Sequence, residues 1–160
     1  MLSSPQLQVA QSLNYLLADY EIYLHKLLRF QWKIQASERP EMNELLDEYT
    51  DDVEQQIDNI VGRVMKLEQT PVSTLANWMR KSKLTYKTDI ESSDRIINQV
   101  LEDSQSLENT AYNLNQQATQ ANDAPTAALA QRIQNRNAKR VNRLLQFVRI
   151  NTPKKKAATL

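Results

Sequence analysis

Apolar side chains recur at spacings of three and four through most of the chain, the pattern of helices that bury one face. In the first such segment Leu13, Leu16, Leu17, Tyr20, Leu24, Leu27, Leu28 and Ile34 lie on that period. Ser4 and Pro5 precede them as a cap followed by proline at the first helical position, so helix A is predicted over 4–35. Pro40 opens helix B, whose inner stripe is Leu46, Tyr49, Val53, Ile57, Ile60, Val64 and Leu67. Its predicted end lies before Thr70-Pro71, because proline pushes the preceding residue out of helical geometry. Thr74 to Ser82 holds Leu75, Ala76, Trp78 and Met79, about two turns of helix. Asp89 is the expected cap of helix C, with Ile96, Ile97, Val100, Leu101, Leu107, Ala111 and Leu114 inside. Asn122-Asp123 interrupts the pattern, and Pro125 starts helix D, with Leu129, Ile133, Val141, Leu144, Leu145 and Val148. Pro153 closes the ordered part. Two units are expected: a helical bundle over 1–152 and a flexible basic C-terminal tail over 153–160.

Four long helices with a short helix in the B–C crossover predict an all-α, four-helix bundle. One long crossover is the ferritin-like arrangement. Composition supports this and narrows the chemistry. The 160 residues include one glycine, one histidine and no cysteine. That excludes disulfide scaffolds, thiolate catalysis, glycine-rich phosphate loops and any single-chain site built from several imidazoles. No apolar run approaches the ~20 residues of a membrane span, and the N-terminus lacks signal-peptide features. A cytoplasmic protein with no membrane partner is expected.

The net charge of +1 conceals a division. Residues 1–123 carry 11 Lys/Arg and all 19 Asp/Glu, whereas residues 124–160 carry nine Lys/Arg and no acid. Asp47, Asp51, Glu54 and Asp58 share one face of helix B, which suits either a hard cation or a solvated acidic surface. No Glu-x-x-His pair occurs, so the di-iron site of long-chain ferritins is not encoded. His25 is a lone histidine, more consistent with a surface or structural role than with a ligand. Arg132, Arg136, Lys139, Arg140 and Arg143 form a stripe on helix D. That stripe suits either phosphate neutralisation or pairing with the acidic helices. Lys154, Lys155 and Lys156 add a run suited to phosphate. Gly62 lies on the same face as Asp58, where glycine costs about 1 kcal/mol relative to alanine. Close helix packing or the loss of a once-needed side chain would each account for it.

Several stretches resemble one family. Leu13-Asn-Tyr-Leu-Leu-Ala-Asp-Tyr, Leu28-Arg-Phe-Gln-Trp-Lys-Ile, Glu44-Leu-Leu-Asp-Glu-Tyr, Ile57-Asp-Asn-Ile-Val-Gly-Arg, Gln69-Thr-Pro-Val-Ser-Thr-Leu and Leu144-Leu-Gln-Phe are similar to the Dps mini-ferritins, over residues 8–150. The resemblance implies a hollow dodecamer of four-helix subunits. It also implies ferrous iron oxidised with peroxide and stored as ferric mineral, and a nucleoid-associated, DNA-coating role in stress protection.

The resemblance also implies a ferroxidase site between subunits, with five protein ligands. Gln31 and Asn43 stand where it places histidines, and Gly62 where it places a glutamate; only Asp47 and Asp58 match as metal ligands. Neutral amide oxygens do not replace imidazole for iron, and glycine offers nothing. Iron binding and ferroxidase activity are thus expected to be weak or lost. Asp123, Ala128 and Arg132 fall at the positions that resemble the family's pore acids, and an arginine there would oppose cation entry. Non-sequence-specific DNA binding is assigned to Lys154, Lys155 and Lys156. The alternatives are a weak iron-storage ferroxidase using Asp47, Asp58 and a displaced carboxylate such as Asp51 or Glu54, and a structural shell with neither activity.

Overall fold

The computed structural model describes residues 1–35, 39–87 and 92–151. It contains α1 (Ser4–Gln35), α2 (Pro40–Lys66), α3 (Leu75–Lys81), α4 (Ser93–Gln120) and α5 (Ala124–Asn151). The four long helices are the predicted A to D, and α3 is the predicted helix of the crossover. Lys154, Lys155 and Lys156 lie outside the described residues, as does Asp89. Ser92, rather than Asp89, caps α4: its side chain accepts from the Arg95 backbone N–H. Thr74 does the same for α3. α2 stops at Lys66, before Thr70-Pro71 as expected, with Glu68 at φ 57 after it. Asn122 has φ 56 in the turn between α4 and α5. These left-handed positions usually favour glycine, yet the chain fills them with Glu68 and Asn122 and keeps Gly62 for the middle of a helix.

Hydrogen bonds fix the topology. Asn14 on α1 binds the chain just past α2, donating to the Thr70 carbonyl and accepting from the Val72 N–H at 3.1 and 2.9 Å. The crossover then runs along α1. Asp19 accepts from Ser82 and the Lys83 N–H, and Lys26 donates to the Thr85 carbonyl. Arg39, ahead of α2, reaches Ser93 and Asp94 at the start of α4. Thus α2 and α4 run one way, and α1 and α5 the other. α1 packs on α2 and α4, and α4 on α5; α2 and α5 touch least of the neighbouring pairs.

The core is a continuous cluster of Leu, Ile, Val, Ala, Met and Tyr from the long helices, including Leu13, Leu17, Tyr20, Leu46, Ile60, Leu107 and Ile133. At ~25 cal/mol per Å² of buried apolar area, this stripe packing is the main force holding the helices together. Polar groups interrupt it. Lys26 and Asp103, both 3% exposed at the side chain, pair at 2.6 Å. Tyr23 shares a hydrogen bond with Ser104, and Asn137 donates to Tyr20. Arg140 is buried, with its guanidinium 4.5 Å from the Tyr49 ring centroid and 5.7 Å from that of Tyr23. Burial pushes the Tyr20 phenol up to about 12 against the opposing charge of Arg140, so it stays protonated.

Asp19 gives the fold a pH signature. Its carboxylate is buried, and one oxygen has no partner. Burial raises its pKa, with the Ser82 and Lys83 hydrogen bonds opposing. A carboxyl whose folded pKa is raised stabilises most below its unfolded value, and that contribution is lost as pH rises through the folded one. Urea unfolding should therefore show the parent gaining stability relative to Asp19→Asn as pH falls from about 7 to about 4. A flat or opposite difference would contradict this reading of Asp19.

Candidate functional site

The five positions that the resemblance assigns to iron fall into two groups. In the first, Gln31 near the end of α1 donates from Nε2 to Asp47 Oδ1 on α2 at 3.2 Å. The Thr50 hydroxyl, with one proton to give, lies 2.8 Å from the Leu46 carbonyl and 3.3 Å from the Gln31 amide oxygen. Asn43 sits one helical turn before Asp47, and its buried Oδ1 has no hydrogen-bond partner. Trp32, beside Gln31, is 70% exposed.

The second group is farther along α2. Asp58 and Gly62 line an open cleft of about 310 Å³ with Asn59, Arg63, Lys66, Pro125, Leu129 and Arg132. No heavy atom outside its own helix backbone and chain neighbours lies within 4 Å of where a Gly62 Cβ would stand. Packing within the subunit therefore does not require glycine there, which removes close packing inside the chain as its explanation.

Asp47 and Asp58 are eleven positions apart on one helix, about 16 Å at 1.5 Å rise per residue. A single metal ion cannot span that distance. Among the described residues no group of three or more His, Cys, Asp or Glu side chains could hold a metal ion. One subunit thus presents two half-sites: a carboxylate among amides, and a carboxylate beside a glycine. The residues present do not fit iron even where two subunits bring the half-sites together, because the donor set is carboxylates and neutral amide oxygens without imidazole. Asp51 and Glu54 are exposed with the rest of the acidic face. His25 is exposed too, its Nδ1 2.8 Å from the Glu21 carbonyl oxygen.

Asp123, expected at a pore, is buried and committed to the start of α5. It accepts from the Thr126 N–H and hydroxyl and pairs with Arg63 at 3.0 Å. Ala128 and Arg132 lie exposed one and two turns further along α5. Arg132 faces the Asp58–Gly62 cleft.

The basic stripe divides in a way that neither sequence reading alone describes. Asp52 accepts from both Arg136 and Arg140, and Glu48 pairs with Arg143 at 2.9 Å. Those three arginines do pair with an acidic helix, as one reading expects. Lys139 and Arg132 have no ion pair or hydrogen bond among the described residues. Arg140 makes its pair from inside the bundle, where it is buried. The residues the sequence reading misses are Asp19, Lys26, Asp52 and Asp103, together with the burial of Arg140. The available signal was register: Lys26 sits among Tyr23, Leu27 and Phe30, Asp103 between Val100 and Leu107, and Arg140 between Ile133 and Leu144, at inner spacings.

Comparison with known proteins agrees with this architecture. The family model described as a ferritin-like domain matches residues 10–151, and the chain belongs to the ferritin-like family. A DNA protection during starvation protein from Brevibacillus brevis is 26% identical over 134 residues, covering 84% of this chain and 90% of that protein. The crystal structure of a Dps protein from Bacillus brevis matches with a TM-score of 0.88 at 26% identity, over 92% of this chain and 99% of that one. DPS from Vibrio cholerae O1, described as a member of a broad superfamily of ferritin-like diiron-carboxylate proteins, matches at 0.87. Its identity is 21%, over 92% of this chain and 93% of that one, and so it shows the fold alone. The Dps resemblance is borne out: this is a Dps-family ferritin-like protein. No helix among the described residues is long and apolar enough to cross a membrane.

Proposed function

We propose that this protein is a Dps-like, DNA-binding stress-protection protein that assembles as a hollow dodecamer and has largely lost the family's ferroxidase site. The observation that carries the loss is the make-up of the donor set: beside Asp47 and Asp58 stand Gln31, Asn43 and a sterically unrequired Gly62, so a site assembled between two subunits would still lack imidazole and the third carboxylate. Exposed Trp32, Met65, Leu75 and Met79 support assembly, because large apolar side chains left in water mark surfaces that subunits cover. The relative named for DNA protection supports the DNA reading.

Lys154, Lys155 and Lys156 supply the phosphate contacts, the domain division falls at 152/153, and the protein acts in the cytoplasm at the nucleoid. Twelve tails on one particle sum individually weak contacts. A mobility shift with linear duplex DNA at low salt tests this, comparing the full chain with one ending after Pro153. The full chain should retard DNA and the shortened one should not. Affinity should fall with salt by about 2.7 log units per log unit for each engaged tail. Equal retardation by both chains would remove the tail from the mechanism.

A further inference from the structure

We propose that the cleft between α2 and α5 is a binding site for a small multivalent oxyanion of the oligophosphate class. The weak packing of α2 on α5 leaves a cleft of about 560 Å³. Arg132, Arg136, Lys139, Arg140 and Arg143 line it from α5, against Glu48 and Asp52 from α2. Five cations face two carboxylates, an excess of three. After Asp52 and Glu48 take their partners, Lys139 and Arg132 remain without one among the described residues.

A second observation points to the same ligand. Tyr49 and Arg140, which line this cleft, each carry a polar atom without a hydrogen-bond partner, the Tyr49 hydroxyl and Arg140 Nε, buried behind the cleft surface. Both residues are at most 5% exposed. Burial also keeps the Tyr49 phenol protonated, so it is a donor. Buried donors without acceptors are destabilising; an oxyanion in the cleft neutralises the excess charge, and a small turn of the Tyr49 and Arg140 side chains toward it would give both donors an acceptor. Arginine forks and a lysine point charge suit phosphoryl oxygens.

The cleft favours a small anion over a nucleic-acid backbone. Its α2 wall carries Glu48, 62% exposed at the side chain, and Asp52, which would repel a continuous polyanion laid along the groove. This site is independent of the C-terminal lysines.

Isothermal titration of the full-length protein with sodium tripolyphosphate at low ionic strength tests the proposal. One ion should bind per subunit. The exposed double variant Lys139→Gln/Arg132→Gln should bind about tenfold or more weakly. Tyr49→Phe, which removes only the hydroxyl, should also weaken binding. Lys154→Gln/Lys155→Gln/Lys156→Gln should bind tripolyphosphate as the parent does. No binding by the parent, or loss only in the tail variant, would overturn the site. Displacement of tripolyphosphate from the tail variant by a short DNA duplex would reassign the cleft to nucleic acid and overturn the small-anion class. Failure of the tail to bind DNA leaves these results unchanged, so the two readings fail separately.

Discussion

Lys26→Met should destabilise the subunit by about 3–5 kcal/mol at neutral pH, because it leaves Asp103 buried without its cation. The pair lies at 2.6 Å with both side chains 3% exposed. Lys26 also donates to the Thr85 carbonyl, so two acceptors lose a partner, and Asp103 keeps only its bond from Gln99. The loss should shrink as pH falls. Burial already raises the Asp103 pKa with Lys26 opposing, and without Lys26 the neutral acid is favoured further. Pairing the change with Asp103→Leu should recover most of the stability, since an apolar pair in place of a buried ion pair is often neutral. Urea unfolding of the two variants and the parent measures both effects. A single variant within about 1 kcal/mol of the parent would show that the pair behaves as a surface one.

Ferrous oxidation with peroxide should proceed at the protein-free rate in the parent and rise by more than about tenfold in Gln31→His/Asn43→His/Gly62→Glu. Loss of even an outer partner of a metal ligand costs about 10–100-fold, so restoring three direct donors has a larger expected effect. The structure permits each change locally. Gln31 already faces Asp47, Asn43 carries an unpartnered buried oxygen, and the space beyond Gly62 is open. Gly62→Ala serves as the control: it should raise stability by about 1 kcal/mol through helix propensity and leave iron oxidation unchanged. Stopped-flow absorbance of ferric product gives the rates. A parent rate well above the protein-free control would revive iron oxidation as a native activity.

The helices were legible because their cores are. Leu13 to Ile34 and Leu46 to Leu67 keep the three-four spacing almost without interruption, and all but the edges of those stripes are buried. Ends were less legible. Proline marks where a helix cannot continue, not where hydrogen bonding stops, so α2 ends several residues before Pro71. Asp123 was visible as a break and became a cap with its own arginine. The split of the candidate iron positions followed from their spacing on one helix once α2 was known to be continuous. The burial of Lys26, Asp103 and Arg140 was hidden because a charged residue reads as exposed. Their partners are on other helices, so only register carried the hint.

The anchoring of the crossover has a kinetic meaning. α1 with α2, and α4 with α5, are neighbours in sequence and can form as local hairpins with little loop entropy to overcome. The strap from Thr70 to Lys87 instead reaches α1 through Asn14, Asp19, Lys26 and Arg29, contacts that span 56 to 64 residues. Docking of the strap needs only α1 and the end of α2, whereas the Tyr23–Ser104 and Asn137–Tyr20 bonds that join the two hairpins span 81 and 117 residues. Strap docking should therefore precede the closure of the two hairpins on each other, which costs the larger loop entropy.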